Sequence, residues 1–176
     1  MPIYNVVMNQ GITVANLGND SLFTGWGAPQ HKLQTCSAVI LVNTQTGAAG
    51  LYHFPSGDID DDKGSQKVLG KMLQAVKPDQ LWICYGIQHL IEMKALGGKP
   101  ADEFYIWREK LKNWLKSKVA DSAGVSEKAS KCGTASISLP NGVPEVSVSG
   151  DGGVTATDLS GYAEGNYQVG RIYWKG

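Results

Sequence analysis

A cysteine and a histidine stand near the outer ends of a predicted β-hairpin. Two runs rich in apolar and β-branched residues, 36–43 and 48–55, flank a short polar segment that ends in Gly47, a pattern typical of paired strands. Cys36 begins the first run and His53 lies near the end of the second. A thiol beside an imidazole can act as a nucleophile and its base, so the pattern indicates covalent catalysis.

The register of the hairpin decides whether the two side chains meet. If Val42 opposes Gly47, then Cys36 directly opposes His53 on one face of the sheet, with Cβ atoms roughly 4.5–5.5 Å apart. A slip of one residue would send the two side chains to opposite faces. The turn permits the productive register, which is the register that we predict.

Composition excludes several other functions. The chain has 176 residues, of which 42% are hydrophobic and 18% charged, and its 16 basic residues balance 16 acidic ones. This is a globular composition for one domain spanning 1–176, and the charge balance argues against a nucleic-acid partner. No apolar run reaches the length of a membrane span.

The other cysteines and histidines are weaker candidates for chemistry. Cys84 lies inside an apolar run, which is typical of a buried structural thiol, and Cys132 lies in a polar segment with no nearby partner. No Cys or His spacing matches a zinc site, and no phosphate-binding glycine motif or GxSxG turn is present. We therefore expect neither a metal nor a cofactor.

The remaining elements predict an α+β fold. Apolar residues at helical spacing predict one helix around 68–76 and a second at 102–118, and the run 81–87 predicts a buried strand. The first hairpin strand is apolar on both faces, so both faces should be covered. We expect a β-rich three-layer α/β/β sandwich, with two helices packed on one side of a mostly antiparallel sheet. The segments 22–33 and 121–132 are expected to be irregular.

The hairpin resembles the Cys/His hairpin of CheD-type protein-glutamine deamidases. Cys36, Gly50, His53, Phe54 and Pro55 match that pattern, as does the gap of 17 residues from Cys to His. Burkholderia lethal factor and the catalytic domain of cytotoxic necrotizing factor share the same general Cys/His fold. The resemblance favours a divergent deamidase, including an effector-like bacterial toxin, over a chemotaxis protein.

The resemblance implies a mechanism and a third site residue. His53 would accept the Cys36 proton or hold an ion pair that lowers the thiol pKa, and the thiolate would attack a glutamine carboxamide of a target protein. Backbone N–H groups around Thr35 and Cys36 would stabilise the oxyanion. The family often carries a Thr six residues before the Cys; here Gln30 holds that position, so Gln30 or Thr35 is the predicted third member.

Two other function classes stay open at this point. The same hairpin could serve another cysteine hydrolase or a transglutaminase-like enzyme, or Cys36 could be an ordinary core residue of a non-catalytic β-rich binding domain. For a deamidase the partner is a protein that bears a surface glutamine. The N-terminus shows no signal peptide, which predicts a cytoplasmic protein or one exported by a signal-less route into a host or rival cell.

Overall fold

Two mixed β-sheets and two long helices make up the described part of the chain. The computed structural model describes residues 3–25, 33, 36–86, 100–130, 133–148, 157–158, 164–168 and 170–175. Among these residues no helix is long and apolar enough to cross a membrane. The strands are Ile3–Val6 (β1), Gln10–Val14 (β2), Ser21–Thr24 (β3), Ser37–Val42 (β4), Ala49–Phe54 (β5), Gln80–Gly86 (β6), Gly124–Ser130 (β7), Ala135–Ser138 (β8), Glu145–Ser147 (β9), Thr157–Asp158 (β10), Gly165–Gln168 (β11) and Arg171–Lys175 (β12).

The predicted hairpin lies at the centre of the larger sheet. In the described residues this sheet has seven strands in the order β11-β12-β2-β5-β4-β6-β7. Every neighbouring pair is antiparallel except β6 and β7, which run parallel. β4 and β5 are therefore interior strands, and both are buried along their whole length.

A second sheet faces the first. Its five described strands have the order β10-β1-β3-β8-β9, in which β1 pairs in parallel with β10 and β3, and β8 is antiparallel to β3 and β9. β3 pairs residues 21–24 with 135–138, so this sheet joins distant parts of the chain.

The helices are Lys63–Val76 (α1) and Pro100–Lys118 (α2). The Asp62 carboxylate accepts a hydrogen bond from the Ser65 backbone N–H and caps α1, which satisfies one of the free donors at a helix start. Lys77, in the left-handed region, ends the helix before Pro78, a residue that cannot continue it.

Alternation along β4 divides the core into two layers. Val39 and Leu41 pack with the apolar stripes of α1 and α2, whereas Ala38 and Ile40 pack with β1, β3 and β8 of the facing sheet. Side chains of one strand alternate between faces, so the doubly apolar strand lies between helices and sheet. The predicted α+β, three-layer arrangement with both helices on one side is confirmed.

Two segments differ from their prediction. The irregular region expected at 22–33 begins with β3, and the polar loop expected at 121–132 contains β7. β7 is an edge strand whose side chains are mostly exposed, so it needs no apolar alternation and its sequence resembles a loop. β3 is only four residues long, too short for periodicity to distinguish it from a loop.

Candidate functional site

The observed hairpin register differs from the predicted one. Val42 opposes Ala49, not Gly47, and His53 opposes Ala38. The prediction that Cys36 and His53 are direct cross-strand partners is therefore wrong. The two registers differ by two residues, however, and a shift of two leaves each side chain on its original face.

The turn explains the shift. The Asn43 N–H donates to the Ala48 carbonyl, and the Asn43 Oδ1 accepts from the N–H groups of Gln45 and Thr46. This side-chain turn needs four residues between the closing pair, and Gly47 completes it with a φ of +77°. The asparagine oxygen replaces backbone acceptors, so the loop is closed by Asn43 and Ala48, each one residue beyond the predicted pair Val42 and Gly47.

Cys36 and His53 lie as diagonal neighbours on the face that looks toward the second sheet. Cys36 is two residues before Ala38, the partner of His53, and packs against the core layer between the two sheets. Diagonal residues in antiparallel strands have Cα atoms about 7–8 Å apart, with the Cβ atoms somewhat closer. A thiol and an imidazole can span that separation.

A threonine from the second sheet holds the His53 ring. His53 is fully buried, and its Nδ1 lies 2.8 Å from the Thr24 Oγ1. The same hydroxyl donates to the Val6 carbonyl over 2.5 Å. Thr24 ends β3 and Val6 ends β1, so this chain of hydrogen bonds joins the two sheets.

The hydrogen bonds define the tautomer of His53. A hydroxyl has one proton, and a carbonyl oxygen can only accept, so the Thr24 proton points to Val6. The contact between Thr24 Oγ1 and His53 then requires the proton to be on Nδ1. Nε2 is consequently the nitrogen that can accept a proton in the neutral ring, as a general base must.

The Cys36 thiol is largely enclosed. Its Sγ lies 3.9 Å from the Sδ of Met8, a residue in the turn between β1 and β2 that is 48% exposed. Burial raises the thiol pKa above its ordinary value of 9.0, and a hydrogen bond from the Ser56 backbone N–H partly opposes that rise. The expected lowering of the thiol pKa by an ion pair with His53 stays a prediction, and the direction given by burial is the opposite one.

Thr24 contacts His53, and the predicted third members of the site stay untested. Gln30 and Thr35 lie outside the described residues, as do His31, His89 and Cys132. Sequence reasoning missed Thr24 because it searched six residues before Cys36, whereas Thr24 lies twelve before it. The available signal was a threonine that ends a short apolar run, Leu22-Phe23-Thr24.

Cys84, the other described cysteine, is buried as the sequence predicts. Cys84 is fully buried on β6, and burial raises its pKa to about 12, as for an inert structural thiol. Within the described ranges, no three His, Cys, Asp or Glu side chains group closely enough to hold a metal ion.

Comparison with known protein families, curated proteins and solved structures gave no match to this chain.

Replacing Met8 with alanine is expected to speed alkylation of Cys36. Removing the thioether admits water to the sulfur, which should lower the raised thiol pKa and increase the alkylation rate at pH 8 about threefold, because the thiolate is the reacting form. Iodoacetamide labelling in a Cys132→Ser background measures the rate. Val143→Ala, which trims another exposed apolar residue elsewhere, should leave the rate unchanged. An unchanged rate in Met8→Ala would show that Met8 does not cover the thiol.

Proposed function

We propose that this chain is a cysteine-dependent protein-glutamine deamidase, with Cys36 as nucleophile, His53 as general base and Thr24 as the positioning residue. The observation that carries the proposal is the hydrogen-bond chain from Val6 through Thr24 to His53. It holds a buried imidazole in one tautomer on the face where Cys36 lies, an arrangement that a purely structural histidine does not require.

In the proposed first step the thiol proton leaves as the sulfur attacks, a route in keeping with the burial that raises the Cys36 pKa. His53 Nε2 takes the thiol proton while the sulfur bonds to the glutamine side-chain carbonyl carbon. The bond from Nδ1–H to Thr24 stabilises the ring as it becomes positively charged.

Collapse of the tetrahedral intermediate breaks the carbon–nitrogen bond. His53 returns its proton to the leaving nitrogen, ammonia departs, and the acyl group stays on Cys36 as a thioester. Water then loses a proton to His53 and attacks the thioester carbon, which frees the thiol and leaves glutamate. The sum is glutamine and water giving glutamate and ammonia, with no change in oxidation state.

One oxyanion donor can be named from the described residues. The Ser56 backbone lowers the Cys36 pKa as a hydrogen-bond partner of the sulfur, so we assign its N–H as the oxyanion donor. A preorganised backbone donor of this kind is typically worth about 2.7–4 kcal/mol in the transition state. Ser56 follows His53 by three residues, so one segment supplies both base and donor.

Product analysis tests the proposal. The wild-type protein is incubated with a mixture of folded candidate proteins in water enriched in ¹⁸O, and products are analysed by mass spectrometry and an ammonia assay. We expect release of ammonia and one ¹⁸O atom in a new glutamate side chain of an uncut protein. New chain termini would instead indicate a protease, and glutamine–lysine cross-links a transglutaminase. Absence of all three products across the mixture would contradict the proposed enzyme.

A further inference from the structure

A narrow pocket lies on the helix side of the larger sheet, and Ser37, the residue after the candidate nucleophile, lines it. It is formed where β4 begins, β5 ends and α2 crosses them, and it has a volume of about 370 Å³, part of it open to solvent. Aromatic rings make up much of its wall, from Phe54, Tyr85, Phe104 and Trp107. We call it the Arg108 pocket, after the one cationic side chain among its described lining residues.

Arg108 is held in the pocket without hydrogen bonds. Its guanidinium carbon lies 3.7 Å from the centre of the Tyr85 ring and 5.9 Å from that of Tyr105, so the aromatic faces position the cation. Its Nε and Nη1 atoms are buried and have no hydrogen-bond partner in the structure. A guanidinium keeps its charge and presents five N–H donors, so buried donors of this kind are costly when nothing accepts from them.

Three described acidic side chains near this helix are engaged by its lysines. Asp58 and Asp60 pair with Lys110, and Glu127 pairs with Lys112. Within the described residues no carboxylate forms an ion pair with Arg108. A bound anionic group would supply the charge complement of this arginine.

The pocket favours a planar group. Aromatic rings flank the guanidinium in it. A carboxylate is flat and accepts two parallel N–H bonds from one edge of a guanidinium, whereas a tetrahedral phosphate is thicker. Ser37 lines the pocket and directly follows Cys36, so pocket and thiol share one short segment.

We propose that the Arg108 pocket binds a carboxylate, and that in the substrate protein this is an aspartate or glutamate side chain near the target glutamine. The second part rests on the proposed function; the first does not. Arg108 would then select the glutamine that is attacked, by holding an acidic neighbour of that glutamine in the pocket.

Thermal unfolding with small anions tests the binding itself. Cys36→Ser protein is heated with glutarate, with inorganic phosphate or with chloride at equal ionic strength, since a ligand of the native state raises the unfolding temperature. Glutarate is expected to stabilise this protein more than phosphate or chloride do. A further Arg108→Gln change should remove the difference, and Arg108→Lys should reduce it, because the ammonium lacks the planar fork. Lys116→Gln removes an exposed charge from the same helix and should change nothing.

Stabilisation that is equal for glutarate and chloride, or that survives in Arg108→Gln, would overturn the site. Stronger stabilisation by phosphate would overturn the assignment of a carboxylate.

Substrate selection is then measured with the active protein on peptide pairs that carry glutamate or alanine beside the glutamine. We expect Arg108→Gln to reduce the preference for the glutamate peptide about 10- to 100-fold, the usual range for a hydrogen bond to a charged group. Binding of glutarate without deamidation would reject the proposed function and leave the anion site standing.

Discussion

Replacing His53 with alanine is expected to lower kcat/KM for deamidation by about 10³-fold, within the range that a positioned general base provides. The thiol pKa is raised in the resting structure, so without an imidazole no described group is placed to take the proton as the sulfur attacks. Cys36→Ser should reduce the rate at least as much, since the alkoxide is a far harder species to form. The rate is measured as ammonia release from a target protein.

The double variant separates catalysis from loss of folding. Residues that act in one step are strongly non-additive, so Cys36→Ser combined with His53→Ala should be no slower than the slower single variant. Rates that fall by the product of the two single effects would show that the residues act independently, contrary to the proposed mechanism. Circular dichroism and the unfolding midpoint confirm that each variant is folded.

Thr24 offers a finer test of the same chain of hydrogen bonds. Thr24→Val leaves the Val6 carbonyl and the His53 Nδ1–H without their hydroxyl partner, whereas Thr24→Ser keeps the hydroxyl and should restore most of kcat and the pH profile. Thr44→Val is a matched control, because Thr44 donates to Asp79 at the opposite end of the hairpin. A Thr24→Ser variant as slow as Thr24→Val would reject positioning through the hydroxyl.

Replacing Gly25 with alanine is expected to destabilise the protein by about 3 kcal/mol or more. Gly25 has a φ of +95°, and an added Cβ would lie 2.4 Å from the Gly133 carbonyl oxygen and 3.0 Å from the Thr134 Cα. Both atoms belong to backbone, and the Gly133 carbonyl already accepts from the Leu33 N–H. The left-handed conformation costs roughly 1–2 kcal/mol for a residue with a Cβ, and overpacking typically adds 1–3 kcal/mol.

Gly18→Ala separates these two contributions. Gly18 also has a positive φ, +55°, but the nearest atom to an added Cβ is 4.0 Å away. The free energy of unfolding of the Gly18→Ala protein, measured by urea titration, should therefore fall by only about 1 kcal/mol. Equal losses of unfolding free energy in the two variants would mean that the backbone at Gly133 moves aside at no energetic cost. Gly25 directly follows Thr24, so we also expect Gly25→Ala to slow deamidation more than its stability loss explains.

The layers were predictable from the sequence because burial on two faces leaves a strong pattern. Val39 and Leu41 alternate with Ala38 and Ile40, and only a covered strand tolerates apolar residues on both sides. The register was not predictable, because it depends on which oxygen atom accepts hydrogen bonds from the backbone N–H groups of the turn. Asn43 takes that role with its side chain, and composition does not reveal such a choice.

The third site residue was unpredictable for a different reason. Thr24 reaches His53 through the packing of one sheet on another, not through spacing along the chain. Its strand pairs with β1 and with β8, which lies more than a hundred residues away. The hairpin itself is local, so a pattern search finds Cys36 and His53 and has no means of finding their partner. Sequence reasoning could have identified Ser56, since it lies only three residues beyond His53.

The placement of Thr24 has a consequence for how the protein matures. Pairings between distant segments cost more loop-closure entropy than a local hairpin does, so we expect Cys36 and His53 to come together before β3 is fixed between β1 and β8. Until then no hydroxyl holds the proton on Nδ1, and the proton of the neutral ring can instead lie on Nε2, the nitrogen that the proposed mechanism uses as its base. Under that mechanism the pair gains its working tautomer only when β3 has paired.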